Sequence, residues 1–256
     1  MKVIILAGGL GTRLSEETSI KPKPMVEIGG MPILWHIMKI YSHFGFNDFI
    51  ICLGYKGYVI KEFFANYYLH KSDITFDLQN KSMKIHNHSV ENWKVTLVDT
   101  GDLTMTGGRL LRVKDYLNEK QFMMTYGDGV ADININDLVR YHNAERKIAT
   151  LTAVQPSGRF GALSIEENSY VSNFQEKPIG DGQWVNAGYF VLEPEIFNYL
   201  KDDETVFEKD SLQTLAKESN LKAFKLNGFW MPMDKLSDKV ELEKMWNENN
   251  APWRIW

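Results

Sequence analysis

The sequence contains only one cysteine, Cys52, which excludes an intramolecular disulfide and indicates a reducing compartment. It also lacks any long run of lysine and arginine, and its formal net charge at pH 7 is −4. Proteins that bind the nucleic-acid backbone usually carry a basic surface, so a nucleic-acid partner is not expected. The apolar run at residues 3–6 is too short for a signal-peptide core or a membrane span. We therefore expect a cytoplasmic protein that binds neither nucleic acid nor a membrane.

Short apolar runs alternate along the chain with segments whose apolar residues recur at helical spacing. Strands are predicted at residues 3–6, 49–53, 95–98, 122–126, 150–154, 162–165, 170–174 and 189–192. Helices are predicted at residues 32–44, 59–67 and about 235–247. This alternation predicts an α/β fold with a mostly parallel mixed sheet flanked by helices. Ligands of such folds bind beyond the carboxyl ends of the strands.

The chain shows no internal repeat, low-complexity tract or obvious linker, so we expect one domain over residues 1–256. Its first half covers about residues 1–150 and is interrupted by a mainly polar insertion near residues 69–93. Strand patterns dominate the second half, residues 151–256, which predicts a smaller β-rich lobe.

A glycine-rich loop follows the first predicted strand and precedes a Lys-Pro-Lys-Pro-Met segment at residues 21–25. Glycines there let the backbone approach a phosphate with its N–H groups inward, while Arg13 and Lys23 supply positive charge. We expect the two flanking prolines to hold Lys23 in extended backbone. A plain glycine turn with two solvated cations is the structural alternative. The spacing fits neither a Walker A loop nor the dinucleotide fingerprint, which argues against a dehydrogenase.

Two aspartates are candidate metal ligands. Asp128 ends the predicted strand at residues 122–126 in a Gly-Asp-Gly turn, and Asp234 follows Phe-Trp-Met-Pro-Met. Carboxylates at a strand end suit Mg²⁺, a hard cation that takes oxygen ligands. The alternatives are an ordinary Asp-Gly turn for Asp128 and a helix N-cap for Asp234.

The loop at residues 8–14 and the segment at residues 21–25 together resemble the signature of the sugar-1-phosphate nucleotidyltransferases. The resemblance implies a Rossmann-like fold, with catalytic roles for Arg13 and Lys23 and Mg²⁺ held by Asp128 and Asp234. It also implies the following nucleotide-binding residues: Leu6, Ala7, Gly8, Gly9, Leu10, Gly11, Thr12, Arg13, Lys23, Thr104, Arg109 and Gly127. A Glu-Lys-Pro segment binds the sugar phosphate in this family. That assigns the sugar-phosphate contacts to Gly161, Glu176, Lys177 and Asn186.

Several segments narrow the resemblance to one subgroup of that family. They are Tyr-Gly-Asp-Gly-Val-Ala-Asp at residues 126–132, Gly-Arg-Phe-Gly-Ala-Leu at residues 158–163 and the final Ala-Pro-Trp. The subgroup implies transfer of a cytidylyl group from CTP to α-D-glucose 1-phosphate, giving CDP-glucose for bacterial surface dideoxysugars. It also implies a homo-oligomer, with a hexamer as one candidate. A uridylyl- or thymidylyltransferase stays open, as does a non-catalytic nucleotide-sugar sensor.

A histidine pair and an aromatic C-terminal segment are more readily explained by structure than by chemistry. His86 and His88 could share one face of a strand, but no third metal ligand is evident, so surface histidines are expected. The C-terminal segment at residues 251–256 holds two tryptophans. It packs either on its own domain or against another subunit.

Overall fold

The computed structural model describes residues 1–88, 90–118, 120–156, 162–166, 169–175 and 183–256. The strands are β1 (Val3–Leu6), β2 (Glu27–Ile28), β3 (Met31–Pro32), β4 (Asp48–Leu53), β5 (Ser72–Asp77), β6 (Ser82–His88), β7 (Lys94–Asp99), β8 (Phe122–Tyr126), β9 (Gly129–Ala131), β10 (Ala149–Val154), β11 (Ala162–Ile165), β12 (Val171–Gln175), β13 (Val185–Leu192), β14 (Leu221–Leu226) and β15 (Trp230–Pro232). The α-helices are α1 (Ser15–Thr18), α2 (Ile33–His43), α3 (Gly57–His70), α4 (Thr106–Arg112), α5 (Ile135–Glu145), α6 (Leu212–Lys217) and α7 (Leu236–Asn247).

A seven-stranded sheet in the order β14-β10-β13-β8-β1-β4-β7 forms the centre of the molecule. Strand β13 runs antiparallel to both of its neighbours, and the other neighbouring strands pair in parallel. The mostly parallel mixed sheet predicted from the sequence is therefore confirmed. The carboxyl ends of the parallel strands and the amino end of β13 meet at one edge.

Both faces of the sheet are buried along the central strands β1, β4, β8 and β13, which explains why these strands are mostly apolar runs. In β1, Val3 and Ile5 belong to one hydrophobic cluster, whereas Ile4 and Leu6 belong to another on the opposite face. Helix α2 contributes its apolar side to the first cluster. Among the described residues, no helix has both the length and the apolar character needed to span a membrane.

One small feature attaches to the edge where the parallel strands end. Strands β9 and β15 form an antiparallel ribbon, with Gly129 opposite Pro232 and Val130 opposite Met231. The ribbon joins the segment after β8 to a segment far along the chain. It therefore brings residues of both halves of the sequence to the carboxyl edge.

The polar insertion near residues 69–93 carries a β-hairpin, β5 and β6. The register pairs Ile74 with Ile85 and Phe76 with Met83, so these side chains share one face. Phe76 and Met83 are exposed. His86 is also exposed and hydrogen-bonds to Thr75, in agreement with its interpretation as a surface histidine.

The C-terminal segment packs on its own domain, one of the two arrangements considered for it. Trp253 is fully buried and stacks on Phe229, with ring centroids 5.6 Å apart. Its indole Nε1 lies 3.4 Å from Nδ1 of His36, a buried histidine of α2. Trp256 contacts Trp35 edge to face at 5.7 Å.

Candidate active site

A cleft of about 490 Å³ opens at the carboxyl edge of the sheet. It is lined by the loop after β1, the start of the Lys-Pro-Met turn, the segment before α4 and the end of β8. The predicted nucleotide-binding residues that line it are Leu6, Ala7, Gly8, Gly9, Leu10, Gly11, Thr12, Lys23, Thr104, Arg109 and Gly127. For Arg13 the structure describes only the backbone, within the 3-10 turn Thr12–Leu14.

Lys23 binds both aspartates that the sequence proposed as metal ligands. Its Nζ lies 2.7 Å from Oδ2 of Asp128 and 2.6 Å from Oδ1 of Asp234. Burial alone would lower the pKa of Lys23, but the charges and hydrogen bonds of the two carboxylates together raise it above its ordinary value. The lysine is therefore a fixed positive charge at the base of the cleft.

The backbone at Lys23 differs from the expected extended form. Residues Lys23–Met25 make a 3-10 turn in which the N–H of Val26 donates to the carbonyl of Lys23. Pro22 is itself extended, with φ −67° and ψ 152°, so it fixes the entry to the turn, whereas Pro24 lies within the turn. From this turn, the buried Lys23 side chain reaches the lining of the cleft.

The ribbon of β9 and β15 explains how the two aspartates meet. Gly129 lies opposite Pro232, and the N–H of Met233 donates to the carbonyl of Asp128 at 2.8 Å. This bond joins the backbone of Asp128 to the residue that precedes Asp234, and so brings the two aspartates close together. Asp234 is not the N-cap of α7: that position belongs to Lys235. The carboxylate of Asp238 accepts from the backbone N–H of Asp234 at 2.9 Å.

The donor set at this point fits a divalent cation. Two carboxylates already share one positive charge, the ammonium of Lys23. Among the described residues, no group of three or more His, Cys, Asp and Glu side chains could hold a metal by itself. A pair of carboxylates that leaves the remaining positions to phosphates and water is the usual protein contribution to a nucleotide-bound Mg²⁺.

Arg109 fixes the glycine loop from beneath. Its guanidinium donates to the carbonyls of Gly8 at 3.0 Å and Leu53 at 3.0 Å and to Oγ1 of Thr100 at 2.8 Å. These groups follow or end β1, β4 and β7, so one buried side chain joins three strand ends. A Cβ at Gly8 would lie 2.0 Å from this guanidinium, which explains the glycine. Contact of Arg109 with a nucleotide stays a prediction.

Asn186 is the one predicted sugar-phosphate residue that the structure describes. It lies at the amino end of β13, which reaches the carboxyl edge because β13 is antiparallel to β8. Its Oδ1 accepts from the N–H of Gly188 at 2.8 Å, and its Nδ2 lies 3.4 Å from the hydroxyl of Tyr126. Gly161, Glu176 and Lys177 lie outside the described residues.

Sequence reasoning missed a polar cluster and an apolar rim beside the cleft. Glu208 accepts hydrogen bonds from Thr106 and Tyr126, both of which line the cleft. The rim carries three exposed apolar side chains, Leu10, Leu103 and Met105. In the sequence, apolar residues within loop segments could have signalled the rim. A single glutamate outside any motif gives no such signal.

Comparison with known proteins agrees with this geometry. The sequence model of the family described as Nucleotidyl transferase matches residues 2–245. The chain is 59% identical over 257 aligned residues to glucose-1-phosphate cytidylyltransferase of Salmonella typhi, covering 100% of both chains. It is 44% identical, again with 100% of both covered, to a probable glucose-1-phosphate cytidylyltransferase of Bacillus subtilis.

Solved structures share the fold. HddC of Yersinia pseudotuberculosis superposes with a TM-score of 0.68 at 24% identity, covering 96% of this chain and 99% of that one. A UDP-glucose pyrophosphorylase in complex with UDP-glucose gives a TM-score of 0.69 at 17% identity, covering 97% and 98%. With a family match over residues 2–245 and a full-length relative at 59% identity, the chain belongs to the nucleotidyl transferase family and is a nucleotidyltransferase.

Proposed function

We propose that this enzyme transfers a cytidylyl group from CTP to α-D-glucose 1-phosphate, giving CDP-glucose and pyrophosphate. The structural observation that carries the proposal is the buried Lys23 between Asp128 and Asp234 at the base of the glycine-loop cleft. The choice of CTP and glucose 1-phosphate is supported by the full-length similarity to the Salmonella typhi glucose-1-phosphate cytidylyltransferase at 59% identity.

The cleft suits a nucleoside triphosphate. The loop at residues 8–12 lines the cleft, where its backbone N–H groups would bind phosphate oxygens, and Arg13 follows the same loop in sequence. The exposed apolar rim of Leu10, Leu103 and Met105 offers a surface on which a base and ribose can pack. Lys23 supplies positive charge near the α-phosphate, and Arg13 holds the departing pyrophosphate.

The sugar phosphate attacks the α-phosphorus in line, and no protein nucleophile is needed because such transfers depend on positioning and charge stabilisation. Asn186 belongs to the part of the site that receives the sugar phosphate. Glu176 binds the sugar hydroxyls, and Lys177 binds the incoming phosphate. Asp128 and Asp234 would hold Mg²⁺, which when bound stabilises the negative charge that grows on the phosphates.

Product analysis with competing nucleotides tests the proposal. The purified enzyme is given α-D-glucose 1-phosphate and Mg²⁺ with CTP, UTP, dTTP, ATP or GTP, and pyrophosphate release is measured. We expect CTP to give the highest kcat/KM and CDP-glucose as product. A higher kcat/KM with UTP or dTTP would replace the cytidylyl assignment by one of the alternatives. Binding of CTP without pyrophosphate release would instead indicate a nucleotide-sugar sensor.

The setting of the reaction is also part of the proposal. We place the enzyme in the cytoplasm as a homo-oligomer, with its product used for bacterial surface dideoxysugars such as those of O-antigens. The single cysteine, Cys52, is a buried free thiol, which is consistent with a reducing compartment such as the cytoplasm. Light scattering on the intact chain measures the assembly. A mass near the 29.6 kDa of one chain would contradict the oligomer.

A further inference from the structure

Glu208 lies on a one-turn π-helix, Phe207–Ser211, that leads directly into α6. Single π turns of this kind are frequent at functional sites. The half-buried carboxylate accepts a hydrogen bond from Oγ1 of Thr106 at 2.7 Å and one from the hydroxyl of Tyr126. These two partners come from different walls of the cleft. Glu208 therefore connects the two walls without lining the cleft itself.

The bond to Thr106 reaches the nucleotide wall. Thr106 begins α4 and follows the segment that carries Thr104, a predicted nucleotide contact. The same wall is tied to the segment before Glu208, because the N–H of Met105 donates to the carbonyl of Asp203 at 2.8 Å. A Cβ at Gly108 would lie 2.6 Å from the backbone of Asp203, so the approach is very close.

The bond to Tyr126 reaches the sugar half of the site, the side on which the predicted sugar-phosphate residue Asn186 lies. Tyr126 ends β8 and donates its hydroxyl proton to Glu208, which leaves only oxygen lone pairs facing Asn186. The amide Nδ2 of Asn186 donates to that oxygen at 3.4 Å. Burial and the neighbouring charge of Glu208 raise the pKa of Tyr126 well above its ordinary value, so the hydroxyl stays a donor. The carboxylate thus sets the direction of the hydrogen bonds from Asn186 to Tyr126.

We infer that Glu208 is a positioning residue for the transfer reaction, acting on the sugar-phosphate half through Tyr126 and on the nucleotide half through Thr106. The inference rests on the proposed function for the identity of the two substrates. It assigns to one carboxylate the alignment of the two halves of the site, a role distinct from contact with either substrate.

The test is a measurement of both substrate affinities in the Glu208→Gln enzyme. Glutamine keeps the size of the side chain but has only one carbonyl oxygen, so one of the two hydroxyls must turn its proton away. The dissociation constant of Mg²⁺-CTP is measured by calorimetry. That of glucose 1-phosphate is measured in the presence of a CTP analogue with an uncleavable α,β bridge. Both constants are expected to rise roughly tenfold, since a hydrogen bond to a charged group is lost or distorted.

The two single-arm variants separate positioning from general loosening. Tyr126→Phe is expected to weaken glucose 1-phosphate by about tenfold while changing CTP by less than about threefold. Thr106→Val is expected to give the reverse pattern. A role confined to folding stability would not produce this split. Glu204→Gln, an exposed residue on the segment before the π turn, is the matched control and is expected to leave both constants unchanged.

Unchanged constants in Glu208→Gln, or equal weakening of both substrates in each single-arm variant, would overturn the inference. If Glu208→Gln does not fold, the opposed pattern of Tyr126→Phe and Thr106→Val still decides. A wild-type enzyme that binds both substrates but releases no pyrophosphate would contradict the proposed function. In that case the inference is still judged on the dissociation constants.

Discussion

The ammonium group of Lys23 lies 2.6 Å from a carboxylate oxygen of Asp234, although 211 residues separate them in the chain. Only 10% of the lysine side chain and 17% of the aspartate side chain are exposed. Because buried charges need close partners, replacing Lys23 would remove a partner from both carboxylates, whereas replacing Asp234 would leave Lys23 with Asp128 alone. Asp128 completes the arrangement from a third segment.

Removal of the Lys23 charge should abolish most of the activity and leave the fold intact. In Lys23→Met the apolar stem is kept, but the charge proposed to face the α-phosphate is lost. We expect kcat to fall roughly 10²- to 10³-fold, the range seen when one electrostatic contact to a transition state is removed. Steady-state kinetics with CTP and glucose 1-phosphate measure the effect, and circular dichroism checks the fold.

Lys21 is the matched control for that experiment. It lies in the same Lys-Pro-Lys-Pro segment but pairs with Glu27 at the surface, where the two side chains are 26% and 52% exposed. Lys21 does not line the cleft, and exposed pairs contribute only about 0–1 kcal/mol to stability, so Lys21→Met should keep the fold and change kcat by less than about twofold. Near-normal turnover in Lys23→Met, or equal losses in both variants, would contradict the role given to Lys23.

The carboxylate pair should bind a divalent ion even without turnover. Mn²⁺ can be titrated into the enzyme with the uncleavable CTP analogue, and its binding followed by electron paramagnetic resonance. Asp128→Asn and Asp234→Asn should each weaken Mn²⁺ binding by about tenfold or more, because a neutral amide replaces a charged oxygen ligand. Asp137→Asn, on the surface of α5, should have no effect. Equal Mn²⁺ affinity in all four proteins would remove the metal assignment.

The first two glycines of the loop should respond differently to alanine. A Cβ at Gly8 would lie 2.0 Å from the Arg109 guanidinium, whereas a Cβ at Gly9 has no atom within 4 Å. Gly8→Ala must displace a buried arginine from its carbonyl partners, so we expect a loss of about 2 kcal/mol or more in the free energy of unfolding. Gly9→Ala should change it by less than about 0.5 kcal/mol. Urea unfolding of both variants measures the difference, and equal stability would show that Arg109 relocates freely.

His36 should make the enzyme less stable in mild acid. Its Nε2 donates to the carbonyl of Ile28 at 2.8 Å, which leaves Nδ1 as the acceptor for Trp253. Burial lowers the pKa of His36 to about 4 from 6.5, with a smaller contribution from the charge of Arg254, and the backbone hydrogen bonds only partly oppose this. The unfolded chain therefore takes up a proton that the folded chain does not.

The resulting loss of stability begins as the pH falls below 6.5 and is complete near pH 4. At pH 5 it amounts to about 2 kcal/mol in the free energy of unfolding. Urea unfolding at pH 7.5 and pH 5 should show this difference in the wild type and a smaller one in His36→Gln. His70→Gln, which changes an exposed histidine, is the control. An unchanged pH dependence in His36→Gln would assign the effect to other groups.

Trp253 should matter far more to stability than its place near the C-terminus suggests. Trp253→Ala removes a fully buried ring from its contacts with Phe229 and His36, at a cost of about 4 kcal/mol. Trp256→Ala, which changes a half-buried ring, should cost less. Thermal unfolding followed by fluorescence gives the ranking, and the reverse order would contradict the packing. Deletion of residues 251–256 would consequently destabilise the fold and would not isolate a subunit contact.

The sequence predicted those site residues that stand in recognisable local motifs. Lys23, Asp128 and Asp234 were each singled out from local motifs, and the structure brings all three together. The 3-10 turn at Lys23 was not foreseen, because the preference of a residue before proline for extended backbone yields here to tertiary contacts.

The polar cluster at Glu208 could not be predicted. Its partners Thr106 and Tyr126 lie 102 and 82 residues away, and no local pattern links them. The same holds for Arg109, whose carbonyl partners come from separate strand ends. Contacts of this kind depend on strand order, which the alternation of strands and helices does not specify.

The ribbon of β9 and β15 has a consequence for how the protein acquires its activity during synthesis. Residues 1–128 contain the glycine loop, the lysine and the first aspartate, but β15 and Asp234 emerge from the ribosome much later. Domains often begin to fold during translation, so an early intermediate can hold a sheet and a cleft while the lysine has only one acidic partner. On the roles proposed for these residues, competence to catalyse is gained only when the late strand docks on β9.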